Sequence, residues 1–137
     1  MDRQEPIRTA RIVVLVVDDQ PTVRAILGDL LREEGYEVVE ATNGRVAAEI
    51  LAKQVVDVVI TDVRMPQLSG RGLYEYIEQH HPRLRDKVFV ITGHPGEDTE
   101  FFENRTRTPI FYKPFNFQAL LDAIHTALRS ENRADAR

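Results

Sequence analysis

Short apolar runs and longer stretches with helical spacing alternate along this chain. The runs are Arg11 to Val17, Tyr36 to Ala41, Asp57 to Asp62, Lys87 to Ile91 and Ile110 to Tyr112. They are too short for helices and mostly rich in β-branched residues, which suits strands buried on both faces of a parallel sheet. After the first run Pro21 takes the position that proline favours at a helix start, and Val23, Ile26, Leu27, Leu30 and Leu31 form one face ahead of Gly35, a natural helix end. Asn43-Gly44 predicts a turn, and Ala47, Ala48, Ile50 and Leu51 line a second helix that ends before Val55. Ser69-Gly70 opens a third, with Leu73, Tyr76 and Ile77 inward and His80-His81-Pro82 closing it. Gly93-His94-Pro95-Gly96 is too rich in breakers to be helical. Glu97 to Asn104 has the weakest pattern, with Phe101 and Phe102 as its only large apolar residues. Asn116 caps a last helix that faces inward through Phe117, Leu120, Leu121, Ile124 and Leu128. Strand and helix in turn predict repeated βαβ units, hence an α/β domain with helices on both faces of its sheet.

Composition narrows the class. A chain of 137 residues is one ordinary domain, and 42% hydrophobic with 29% charged residues describes a soluble globular protein. Met1 to Ala10 reads as a polar lead-in, residues 11–129 as the domain and Ser130 to Arg137 as a polar tail. A net charge of -4 argues against a duplex-binding surface. The absence of Cys excludes disulfide staples and thiolate metal sites and is compatible with a reducing compartment. Ile12 to Val17 is the longest aliphatic run, far too short for a bilayer, and the N-terminus has no signal-peptide core, so the expectation is a cytoplasmic protein without membrane contact.

The candidate chemistry lies where the runs end. Asp18 and Asp19 follow the first, Asp62 closes the third, Thr92 follows the fourth and Lys113 the fifth. Each has a plain alternative: a helix-capping acid pair, turn residues, a solvated lysine. Yet right-handed crossovers make the carboxyl ends of parallel strands point the same way, which places all five residues on one rim, where ligand crevices of open α/β sheets lie. Three carboxylates there repel by about 4 kcal/mol per pair at 4 Å in an effective dielectric near 20. A hard cation such as Mg²⁺ suits oxygen-only ligands and binds phosphate oxygens as well. Such an ion with the Lys113 ammonium and the Thr92 hydroxyl would cradle a phosphoryl group, and a central carboxylate can attack phosphorus. The reading requires Asp18 and Asp19 to lie within about a dozen ångströms of Asp62, within reach of one shared ion shell.

Val16-Val17-Asp18-Asp19, Asp62-Val63-Arg64-Met65-Pro66, Ile91-Thr92-Gly93 and Lys113-Pro114-Phe115, at these spacings, resemble the receiver domain of two-component response regulators over about residues 11–129. The resemblance implies a flavodoxin-like (βα)5 fold whose five-stranded parallel sheet has the order 2-1-3-4-5. It implies Asp62 as phosphoacceptor, Asp18, Asp19, Asp62 and the backbone carbonyl of Arg64 as Mg²⁺ ligands, Thr92 as switch hydroxyl and Lys113 as the phosphate-pairing lysine. A histidine kinase or phosphotransfer protein would donate from phosphohistidine, and a downstream protein would be the target. Such a domain is no enzyme beyond catalysing its own phosphoryl transfer and dephosphorylation.

The chain departs from the family pattern at Ile110, three positions before the lysine, where an aromatic switch residue is usual. The interval from Thr92 to Lys113 is also short and carries Pro95, Arg105, Arg107 and Pro109, which predicts a stunted fourth helix and signalling through that loop or through docking at the first helix rather than an aromatic swing. Arg64 and His94, two positions after Asp62 and Thr92, are expected to modulate attack by water on the phosphorylated acid. His80, His81 and His125 are expected to be solvated, without metal-ligand spacing. Only eight residues follow the last helix, so no attached output domain is expected, and Met1 with both polar tails favours a stand-alone receiver over one excised from a hybrid histidine kinase. A degenerate receiver serving only as a binding scaffold disagrees with the intact acid pair, Asp62, Thr92 and Lys113. A dehalogenase-like phosphatase would need an acid where Arg64 stands, and a nucleotide-binding module would need a glycine-rich fingerprint that the chain lacks.

Overall fold

In the computed structural model, residues 11–65, 67–93 and 96–135 are described, without the side chains of residues 97, 98 and 130–135. Five strands alternate with five helices: β1 (Val13–Val17), α1 (Pro21–Glu33), β2 (Glu37–Ala41), α2 (Gly44–Lys53), β3 (Val58–Asp62), α3 (Gly70–His80), β4 (Val88–Thr92), α4 (Glu97–Glu103), β5 (Ile110–Tyr112) and α5 (Phe117–Asp135). All strands are parallel and lie in the order β2-β1-β3-β4-β5. That is the flavodoxin-like arrangement expected.

The two-residue period of the strands divides the core in two. Leu15, Val17, Val59 and Val90 face α2, α3 and α4, meeting Ala47, Leu51, Leu73, Tyr74, Ile77 and Phe102. Val14, Val16, Val58, Ile60, Phe89 and Ile91 face α1 and α5, meeting Leu27, Leu31, Leu120, Leu121 and Ile124. Every residue of β3 and β4 is buried, because both strands have neighbours on both sides and helices on both faces. This double burial explains why their sequence shows a continuous apolar run and no alternation.

Local signals set several of the helix ends. Asn43 accepts a hydrogen bond from the Val46 N–H and Ser69 one from the Gly72 N–H, satisfying donors that a helix start leaves free. Gly35, at φ 95°, takes the left-handed conformation that ends the α1 region. α4 has only seven residues, the stunted helix expected from its composition.

Several details differ from the sequence reading. Ile26 is exposed, since the apolar stripe of α1 is wider than the sheet face it covers. In α3 the residue turned fully inward is Tyr74, while Tyr76 is only half-buried. Tyr74 packs edge-on against Phe101 and Phe102 of α4, at ring distances of 6.1 and 5.8 Å, a long-range pairing that helical period alone does not reveal. A 3₁₀ turn, Pro82–Lys87, leads into β4. α5 continues to Asp135, into the stretch read as a polar tail, because Ser130 to Asp135 contains no glycine or proline to stop it. His81 is not a solvated residue. Its Nε2 is buried without a hydrogen-bond partner among the described residues, and burial pulls its pKa below the usual histidine value.

Candidate functional site: an acidic rim at the ends of β1, β3, β4 and β5

Asp62 is the last residue of β3, where a doubly buried strand leaves the sheet. Its carboxylate is held from two sides. One oxygen, Oδ1, accepts from the Val63 N–H at 2.6 Å; the other, Oδ2, lies 3.2 Å from the Lys113 ammonium. Its main-chain carbonyl accepts from the Thr61 hydroxyl at 2.8 Å. The start of α3 is pressed against this residue: a β-carbon added to Gly70 would stand 2.4 Å from the Asp62 carbonyl oxygen, far inside van der Waals contact. The Gly70 N–H in turn donates to the Val63 carbonyl. Only glycine permits that approach, so Gly70, which the sequence reading treats as a helix opener, also fixes the backbone of Asp62.

Asp18 and Asp19 extend from β1. Asp18 is almost fully buried and Asp19 exposed. Asp18 keeps its place through the Gln20 N–H, which donates to Oδ1 at 2.9 Å, and Lys113, 3.3 Å from Oδ2. Carboxylate oxygens of Asp18, Asp19 and Asp62 all lie within 4.8 Å of one another. The convergence required by the sequence reading is met with room to spare. Burial pushes the Asp18 carboxyl above the usual carboxylate range and the charge of Asp62 adds to this, against the opposing pull of the Gln20 N–H and Lys113.

Lys113 follows β5, and its peptide bond to Pro114 is cis. Burial alone would lower its pKa, but Asp62 and Asp18 outweigh that and raise it, so the ammonium stays charged between them. Its own N–H donates to the Thr92 carbonyl at 2.8 Å. Thr92 ends β4 and is buried beside Lys113 on the same rim. Arg64 lies exposed two residues beyond Asp62. Ile110 is half-buried in β5 against the core beneath α4, and Tyr112, on the same face, reaches the Glu103 carboxylate at 3.4 Å. His94 falls outside the described residues.

One residue at this rim escapes sequence reasoning. Arg24 of α1 donates to the main-chain carbonyl of Asp18 at 2.8 Å. The available signal is a cation one turn beyond the acid pair, flanked by the inward-facing Val23 and Leu27.

A family model described as the response regulator receiver domain matches residues 14–125. The chain belongs to this family. Among curated relatives, the receiver is 34% identical to the response regulator protein PilR of Pseudomonas aeruginosa over 124 residues, 90% of this chain and 27% of that protein. It is 29% identical to the sporulation initiation phosphotransferase F of Bacillus subtilis, covering 81% of this chain and 89% of that protein. The chain thus spans about a quarter of the length of several curated relatives. Among solved structures, the response regulator protein TrrA of Thermotoga maritima, in complex with Mg²⁺-BeF, superposes with a TM-score of 0.75 at 28% identity, covering 85% of this chain and 98% of that one.

The donor set of the receiver fits a hard divalent cation. It offers oxygen ligands only, clusters three carboxylates and leaves Asp19 open to solvent. Among the described residues no helix is long and apolar enough to cross a membrane.

Proposed function

We propose that the receiver accepts a phosphoryl group on Asp62 from a phosphohistidine of a histidine kinase or phosphotransfer protein, and signals through contact with a downstream protein. The observation that carries this reading is the position of Asp62, locked in the backbone of a buried strand end with its carboxylate between Lys113 and the Asp18/Asp19 pair.

In the step envisaged, a carboxylate oxygen of Asp62 attacks phosphorus, the P–N bond to the donor imidazole breaks, and the imidazole leaves with its bonding electron pair and takes up a proton. The products are an aspartyl phosphate and a free histidine. The Val63 N–H and the Gly70 contact hold the attacking group in one orientation, so little ordering remains to be done when the donor arrives. Lys113 pairs with the charge that gathers on the phosphoryl oxygens, and the Thr92 hydroxyl donates to one of them. Asp18, Asp19, Asp62 and the Arg64 carbonyl would hold Mg²⁺, which when bound would neutralise charge on the phosphoryl oxygens. Arg64, exposed two residues beyond Asp62, is suited to influence entry of water and thus the lifetime of the acyl phosphate, and His94 is assigned the same role from its place in the sequence alone. The switch at Ile110 lacks an aromatic ring, so the response passes through the α4 region or a docked first helix. The cytoplasm is the compartment in which such a donor is met.

Acetyl phosphate provides the test. Incubated with it and MgCl₂, the protein is expected to gain one phosphoryl group by intact mass, and Asp62→Asn to gain none. Equal labelling of the two proteins would remove Asp62 as the acceptor.

A further inference from the structure

We infer that Arg24 is a positioning residue for the cation site: it clamps the peptide between Asp18 and Asp19 to β2 and thereby sets how tightly the rim holds a divalent ion. The inference rests on the acceptor reading above, since it concerns the same acids.

Asp18 is tied down at every polar atom. Its N–H donates to the Ala41 carbonyl at 3.2 Å, its Oδ1 accepts from the Gln20 N–H and its Oδ2 faces Lys113. The remaining atom is its carbonyl oxygen, which belongs to the peptide that begins Asp19. Strand pairing cannot satisfy that atom, because β1 ends at Val17. Arg24 takes it at 2.8 Å through one guanidinium nitrogen. Through Nε the same planar group lies 3.4 Å from the Glu40 carboxylate of β2, and the Arg24 side chain is only 16% exposed. Glu40 is held from its other side by Arg32, also at 3.4 Å.

The guanidinium is therefore used on two sides at once. A rigid fork joining a main-chain carbonyl to a carboxylate on another strand fixes direction as well as distance, which a flexible ammonium does not. What it fixes is the plane of the Asp18-Asp19 peptide, and with it the direction in which the exposed Asp19 carboxylate leaves the backbone. Asp19 has the loosest surroundings of the three acids, so its aim depends most on the peptide preceding it. Groups that orient metal ligands without touching the metal commonly change affinity by about 10–100-fold when removed.

The experiment is a magnesium titration of ¹⁵N-labelled protein without any phosphodonor, followed by amide shifts, together with urea unfolding in the absence of metal. The Mg²⁺ dissociation constant is expected to rise roughly tenfold in Arg24→Ala. It should rise less in Arg24→Lys, which retains one donor for the Asp18 carbonyl, and a few-fold in Glu40→Gln, which weakens the orienting partner and leaves the clamp itself in place. Arg45→Ala, which disturbs an exposed pair with Glu49 on α2, should titrate like wild type. Lower urea stability with an unchanged Mg²⁺ constant in both Arg24→Ala and Glu40→Gln would make Arg24 a merely structural bond and overturn the inference. Should Arg24→Ala not fold, an unchanged constant in Glu40→Gln and Arg24→Lys overturns it equally. If wild type itself shows no magnesium-dependent shifts, the acceptor reading fails and takes this inference with it.

Discussion

The two junctions on the rim, from β3 into α3 and from β4 into α4, are built to opposite tolerances. At the first, all of β3 is buried, the Val63 N–H grips the Asp62 carboxylate, and Gly70 stands so close that a single β-carbon would collide with the Asp62 carbonyl. At the second, among the described residues, a β-carbon on Gly93 would meet only the Lys113 side chain at 3.9 Å, and one on Gly96 would meet nothing within 4 Å. The helix that follows has seven residues, and the strand beyond it has three, none fully buried. On the function proposed above, one side fixes the atom that would react; the other has the space in which a response would develop. A phosphorylation switch needs both, since an acceptor that shifts loses its geometry and an effector face that cannot shift transmits nothing.

The largest test of this contrast is Phe102→Ala. Among the described residues Phe102 is the one fully buried large side chain of α4, packed on Tyr74 and Phe101, and its removal is expected to cost about 3–5 kcal/mol in urea unfolding. Hydrogen exchange should show the loss concentrated in α4. Protection lost equally throughout the sheet would mean that α4 is no looser than the rest.

Gly70→Ala comes next. The forced shift should cost about 1–3 kcal/mol and slow acetyl phosphate labelling at Asp62. Stability and labelling rate both unchanged would show that the β3 junction has the slack assigned to β4.

The bridge between α3 and α4 responds to alkali. Burial, with help from Glu78, pushes the Tyr74 phenol from 10.0 up to about 12. The folded protein therefore keeps this proton longer than the unfolded chain, so stability falls as pH rises from 10 towards 12, by on the order of 2 kcal/mol. Tyr74→Phe should flatten that part of the pH–stability curve, and an unchanged slope would contradict the assignment. The smallest effect is expected from Gly96→Ala, within about 0.5 kcal/mol and without change in labelling, because the site is open and its backbone is extended.

The contrast also explains what could be read from the sequence. The strands that carry the acids are continuous apolar runs ending in polar residues, and both features belong to the strand itself, so Asp18, Asp19, Asp62, Thr92 and Lys113 were legible one by one. Their meeting on a single rim followed from crossover handedness. The strand order came from resemblance to receivers, because periodicity contains no information on which strands are neighbours. What escaped detection depends on partners distant in sequence. Tyr74 turns inward because α4 brings two aromatic rings to it, whereas Tyr76 fits the helical period equally well. Ile26 is left outside because the sheet offers α1 a narrow face. Arg24 looks like any solvated helix cation until Glu40 and the Asp18 carbonyl are placed beside it.

The most direct measurement is to trap the acyl phosphate by borohydride reduction after acetyl phosphate treatment and to read the peptides that cover residues 12–24 and 57–71 by tandem mass spectrometry. The account predicts homoserine at position 62 in the magnesium-treated protein, much less without magnesium, and none at positions 18 or 19. Homoserine at either of those positions, or no reduced aspartate in protein that binds magnesium, would contradict it.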